Sequence, residues 1–157
     1  MKPKVYLETS IVSYLTSRPS RDLIVAANQQ ITQEWWQQRR SAFNLYVSEL
    51  VIQETSAGDT TAAQQRLRAL KDIPLVELSP EAVSFAEKLI KEGPVPQKAV
   101  EDALHIAVAT LNGMDYMLTW NFKHLANATL RHKVEDICRQ VGYEPPIICT
   151  PPELMEE

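Results

Sequence analysis

Asp102 stands near the start of Ala99-Val-Glu-Asp-Ala-Leu-His-Ile-Ala-Val-Ala-Thr-Leu-Asn-Gly113, a stretch that would be apolar almost all round if wound into a helix. An ionised carboxylate there is costly unless a partner pairs with it or a metal coordinates it. Three more polar groups fall at comparable places. Glu8 follows the short run Lys4-Val-Tyr-Leu7, Thr119 and Asn121 follow the run that begins at Asp115, and Glu54 lies in a helical pattern that Ser48 opens. Asp and Glu oxygens from separate elements, without Cys or His at zinc spacing, suit a hard cation such as Mg²⁺ or Mn²⁺. Such an ion activates a water and offsets charge on a phosphodiester during in-line attack, so the implied reaction is phosphodiester hydrolysis.

The elements that must place these groups can be read along the chain. Lys4 to Leu7 is β-branched and aromatic and reads as a strand, followed by a short helix from Ile11 to Leu15. Ser20 reads as the cap of a long amphipathic helix from Arg21 to Arg40, with Asp22 in its first turn. Further strands are expected at Asn44 to Val47, Pro74 to Leu78, Asp115 to Thr119 and Ile147 to Cys149. Helices are expected from Ser48 to Glu54, Thr61 to Lys71, Pro80 to Glu92, Ala99 to Gly113 and Thr129 to Val141, the Ser79-Pro80 pair being a specific start signal. Strands alternating with helices across short turns predict an α/β fold, its mainly parallel central sheet covered on both faces. Ligands of such sheets lie beyond the carboxyl ends of the strands, where Glu8, Thr119 and Asn121 fall.

At 157 residues, 45% hydrophobic and 23% charged, the chain fits one domain over 1–150, with 151–157 a frayed acidic tail. Cys138 and Cys149 lack CxxC spacing and read as buried free thiols, which fits a reducing cytoplasm. No apolar run reaches 18 residues, and an acid interrupts the first run at Glu8, so neither a membrane span nor a signal peptide is expected. A net charge of −4 gives no global field for nucleic acid, yet leaves room for local basic patches and an RNA substrate.

Four segments in order carry a resemblance: Tyr-Leu-Glu8-Thr-Ser, Val47-Ser-Glu-Leu-Val-Ile-Gln-Glu54, Glu101-Asp-Ala-Leu-His-Ile-Ala-Val-Ala109 and Leu118-Thr-Trp-Asn-Phe-Lys-His-Leu125. Together they resemble the motifs of PIN-domain ribonucleases of the VapC toxin type, over nearly the whole chain. The resemblance implies a three-layer α/β/α domain and an Mg²⁺- or Mn²⁺-dependent endoribonuclease. It also implies the toxin of a toxin–antitoxin pair, often dimeric and inhibited by a small antitoxin. By position, Glu8, Glu54 and Asp102 become the metal-binding acids, and Asn121 helps to hold the metal or the attacking water. Two positions depart from the family. Asp is usual where Glu8 stands, and the extra methylene moves the carboxylate by about 1.5 Å. An acid is also common at Asn121 or three residues on, where this chain has His124. The alternative function is therefore a weakened PIN-like module that binds RNA or a protein partner without cleaving.

Other residues read more plainly. Thr119 and Ser10 are expected as caps or as hydroxyls behind a ligand; Glu101, Glu49 and Asp115 are expected to be solvated or structural. His105 could carry a proton or orient a ligand, but a lone His on an apolar helix usually reads as core. His124 reads equally as a substitute for the missing acid or as turn surface. Trp35 and Trp36 beside Arg39 and Arg40 suggest core or dimer packing rather than base stacking. Arg66, Arg68 and Lys71 form a basic helix side, either solvated or set for phosphate contact.

Overall fold

In β1 (Lys4–Leu7), Val5, Tyr6 and Leu7 are all fully buried, the mark of a central strand covered on both faces. The computed structural model describes residues 1–156. Its sheet has five strands in the order β3-β2-β1-β4-β5, with β2 (Asn44–Ser48), β3 (Leu75–Val76), β4 (Tyr116–Leu118) and β5 (Ile147–Cys149). Every pairing is parallel.

The order fixes the layers. From β1 the chain steps to β2 and then β3 on one side, and afterwards returns across β1 to β4 and β5 on the other. Right-handed crossovers in opposite directions put their helices on opposite faces. One layer thus holds α1 (Thr9–Thr16), α2 (Leu23–Gln38), α3 (Glu49–Thr55) and α4 (Thr60–Ala69), with α1 packed on the other three. The second holds α5 (Pro80–Lys91), α6 (Val100–Leu111) and α7 (Ala128–Val141), with α5 packed along α6. The result is the expected α/β/α arrangement. Leu7, Ile11, Trp35, Ile106, Met117 and Leu118 contribute to one continuous core. No helix among the described residues is long and apolar enough to cross a membrane.

Local expectations held where the sequence signal was local. Ser79 caps α5 through Ala82 N–H, and Gly142, at φ 95°, closes α7 in the left-handed conformation that glycine adopts without strain. The cap of α2 is Asp22 rather than Ser20: the Asp22 carboxylate accepts from the amides of Ile24 and Val25, while the Ser20 hydroxyl accepts from the Asp22 amide. Ser48 precedes α3 but makes no capping bond, because its hydroxyl pairs with Tyr6 instead.

The frayed tail is also corrected. Pro151–Leu154 form a 3-10 turn whose Thr150 and Glu153 cap each other; Pro151 and Leu154 are buried, and Arg39 Nε donates to the Leu154 carbonyl at 3.3 Å. Glu157 lies outside the described residues. Both cysteines are free and buried.

Candidate active site

The site begins at the point where the strand order reverses. Leu7 and Leu118 are register partners in β1 and β4, so the next residues, Glu8 and Thr119, emerge side by side at the carboxyl ends. Thr119 Oγ1 donates to Glu8 Oε1 at 2.6 Å, and Ser10 Oγ donates to the same oxygen at 2.5 Å. Each hydroxyl is itself fixed by a backbone amide, Trp120 N–H on Ser10 and Asn121 N–H on Thr119. Glu8 is only 7% exposed, so these donors replace water that burial has removed. Ser10 and Thr119 therefore stand behind Glu8.

Glu54, near the end of α3, is held in a similar way. Thr9 Oγ1 donates to Glu54 Oε1, and His105 Nε2 lies 2.7 Å from that same oxygen. Among the described residues Oε2 of both Glu8 and Glu54 takes no hydrogen bond from a hydroxyl, imidazole or backbone amide, although the Glu101 carboxyl also hydrogen-bonds Glu54. Burial works against the Glu54 charge, but the His105 hydrogen bond and its charge, with Thr9, outweigh it and hold the carboxyl down at about 2. Burial likewise opposes charge on His105, yet the Glu54 hydrogen bond and the charges of Glu8, Glu54 and Asp102 raise its pKa overall. Glu101, in the first turn of α6, also faces Glu54, whose hydrogen bond and negative charge push the Glu101 carboxyl up.

Asp102 sits on the same first turn with its side chain 17% exposed. Asn121 Nδ2 donates to Oδ1 at 3.2 Å, and His124 Nδ1 lies 3.0 Å from Oδ2. The amide of Asn121 is oriented by its other end: its oxygen accepts from the backbone amides of Lys123 and His124, closing the turn after β4. Asn121 presents N–H to Asp102.

Glu8, Glu54 and Asp102 come from three parts of the chain; Glu54 bonds the buried His105 imidazole, which is 1% exposed, and Asp102 lies one turn before it on α6. Glu8 is buried, whereas the Asp102 and Glu54 side chains are 17% and 27% exposed. A surface depression of about 570 Å³, between Lys4, Gly113 and Ile147, lies at the far end of the sheet.

A family model described as PIN domain matches residues 5–126, which include all four of these site residues. The chain belongs to the PIN-domain family. PIN domains are generally nucleases, and the family generally uses divalent metals. The fold of this PIN domain is similar to a solved structure described as the crystal structure of VapBC2 from Rickettsia felis bound to a DNA fragment from their promoter. The TM-score is 0.52 at 15% identity, covering 94% of this chain and 98% of that chain, a likeness of fold. No curated protein matches the sequence.

By donor chemistry this PIN domain fits a hard cation: the acids supply carboxylate oxygens only, and Glu8 and Glu54 each keep Oε2 outside the hydroxyl and imidazole bonds. Among the described residues no group of three or more acids, histidines or cysteines is arranged so that it could hold a metal ion, and both Asp102 oxygens are taken by Asn121 and His124.

The partners of several residues were not legible in the sequence. His105 is buried as a core residue would be, yet both its nitrogens are engaged, Nδ1 with Tyr6 and Nε2 with Glu54. Its spacing of three from Asp102 was the available signal, since residues i and i+3 share a helix face. Glu101, four before His105, shares that face by the same rule. Arg66 is drawn off the expected basic side: Nε donates to the Thr55 carbonyl and a terminal nitrogen to Ala57, closing the end of α3 behind Glu54. Trp35 is core, stacked on Phe43, while the Arg40 guanidinium lies 4.0 Å over the Trp36 ring. Asp115 is structural, accepting from the Lys4 amide at 2.8 Å.

Proposed function

We propose that this protein is a divalent-metal-dependent endoribonuclease of the VapC type, with Glu8, Glu54 and Asp102 as the residues that hold Mg²⁺ or Mn²⁺. The observation that carries the reading is that Glu8 emerges beside Thr119 at the carboxyl ends of β1 and β4, where open parallel sheets bind ligands, while Glu54 bonds His105, one turn from Asp102 on α6. When bound, the ion supplies an activated water and offsets charge on the phosphodiester. The chain's own residues prepare for this. Ser10 and Thr119 hold Glu8, Thr9 and His105 hold Glu54, and the Asn121 amide orients Asp102. The excess of acids over cations at the site repels a bare phosphate backbone, so RNA is expected to enter together with the ion.

Membership of the PIN family supports nuclease chemistry, and the VapBC2 neighbour supports a small antitoxin protein as partner and a toxin role in the cytoplasm. A homodimer is part of the same reading. Incubating the purified protein with single-stranded and folded RNA, in Mg²⁺, in Mn²⁺ and in EDTA, tests it: cleavage in either metal and none in EDTA is expected.

One observation favours a second reading. Both oxygens of Asp102 are occupied by neutral or basic side chains where the family commonly offers a further acid. That suits a module that binds RNA or a protein without cutting. RNA retained intact in every metal would favour it.

A further inference from the structure

His105 is joined to the core on one side and to the site on the other. Its Nδ1 lies 2.7 Å from the Tyr6 hydroxyl, which lies 2.8 Å from Ser48 Oγ; its Nε2 lies 2.7 Å from Glu54 Oε1. Tyr6 and Ser48 are fully buried and His105 is 1% exposed, whereas the Glu54 side chain is 27% exposed. A polar chain buried this deeply is unfavourable unless every member is paired, and here each one is. A network serving the core alone has no need to end on a solvent-facing acid. A carboxylate oxygen only accepts, so at 2.7 Å from Glu54 Oε1 it is Nε2 that donates. Nδ1 and the Tyr6 phenol can share their proton in either sense, with Ser48 as the further donor or acceptor.

The geometry points to His105 as a positioning residue: braced by Tyr6 and Ser48, its imidazole and the Thr9 hydroxyl fix Oε1 of Glu54, so that Oε2 is the oxygen presented to an incoming ligand. The inference rests on the reading of Glu54 as a metal-holding acid. An independent parallel comes from Glu8, where Ser10 and Thr119 also meet on Oε1 and leave Oε2. Two carboxylates from different elements are thus pinned by the same device. Hydrogen bonds behind metal ligands set ligand orientation, and losing one typically weakens metal binding 10–100-fold.

Two measurements test this on the full chain. The first is calorimetric titration with Mn²⁺ of wild type, His105→Leu, which has no donor, and His105→Gln, whose amide N–H can reach Glu54. Unfolding midpoints in EDTA are recorded for each. Mn²⁺ binding about 10–100-fold weaker in His105→Leu and restored to within a few-fold in His105→Gln is expected, even where both variants lose similar stability. Equal weakening in both, or in neither, would overturn the inference and leave the metal reading standing. The second is the imidazole ¹⁵N spectrum of the metal-free protein. A protonated Nε2 whose resonance moves in Glu54→Gln is expected, and an unprotonated Nε2 would overturn the inference whatever the metal result. Absence of Mn²⁺ uptake by the wild type would instead overturn the metal reading and the ligand role of Oε2 with it.

Discussion

Thr119 donates its hydroxyl to Glu8 at 2.6 Å across 111 residues of sequence, because parallel register in β1 and β4 brings both to the same edge of the sheet. Thr119 is fully buried and Glu8 nearly so. Replacing the hydroxyl by a methyl in Thr119→Val leaves a buried carboxylate with one donor fewer, and a hydrogen bond to a charged group contributes about 1.5–3 kcal/mol. Urea unfolding in EDTA should show a loss of that size, with most of it recovered in Thr119→Ser. An unchanged midpoint would mean that Glu8 turns to water at no cost.

The His105–Glu54 pair gives a pH dependence of stability in the metal-free protein. The folded pKa of His105 is raised above its ordinary 6.5, so its contribution is full below that pH and is lost as pH rises through the folded value. Glu54 is lowered from 4.5 to about 2, so its contribution is full above 4.5 and is lost as pH falls towards 2. Stability from the pair is therefore greatest between about pH 4.5 and 6.5. Urea midpoints in EDTA should decline on the alkaline side in the wild type, and His105→Gln should flatten that decline.

The end of the chain is a structural part. Leu154 is 8% exposed and its carbonyl is held by Arg39. Leu154→Ala should cost about 2 kcal/mol, at the low end for a buried leucine because the site borders solvent. A frayed tail would show no change in the same thermal or urea measurement.

Burial raises both thiols, with the Glu153 charge adding to it at Cys149, whose pKa is pushed up to about 12. Since the thiolate is the reactive form, the native protein at pH 8 should react slowly with a thiol reagent, and denaturant should release two fast equivalents. Fast labelling of either cysteine in the native state would show that its helix or strand opens readily.

The fold was legible because its signals are local and repeated. Lys4–Leu7 and Ile147–Cys149 read directly as strands, and the Ser79-Pro80 start and the Gly142 stop follow from backbone chemistry. The acids were legible by type, Glu8 by its place after a strand and Asp102 by its place on an apolar helix. What they bond to was not, because it depends on register between distant strands. Ser48 looked like a cap and turned out to serve Tyr6, and Arg66 looked like part of a basic helix side and closes α3. His105 shows the limit best. An apolar helix around a histidine predicts burial, and burial is what occurs, but only the packing of α6 against β1 and α3 reveals that both ring nitrogens lead from the core to Glu54.

Asp102→Asn probes the metal reading most directly, because the change preserves shape and removes only the charge. Calorimetry with Mn²⁺ and RNA cleavage are measured side by side on wild type and variant, with the urea midpoint in EDTA as the control for folding. The expected result is Mn²⁺ binding and cleavage in the wild type, loss of both in the variant, and a folded variant. Cleavage that continues unchanged in Asp102→Asn would contradict the assignment of Asp102 to the metal site.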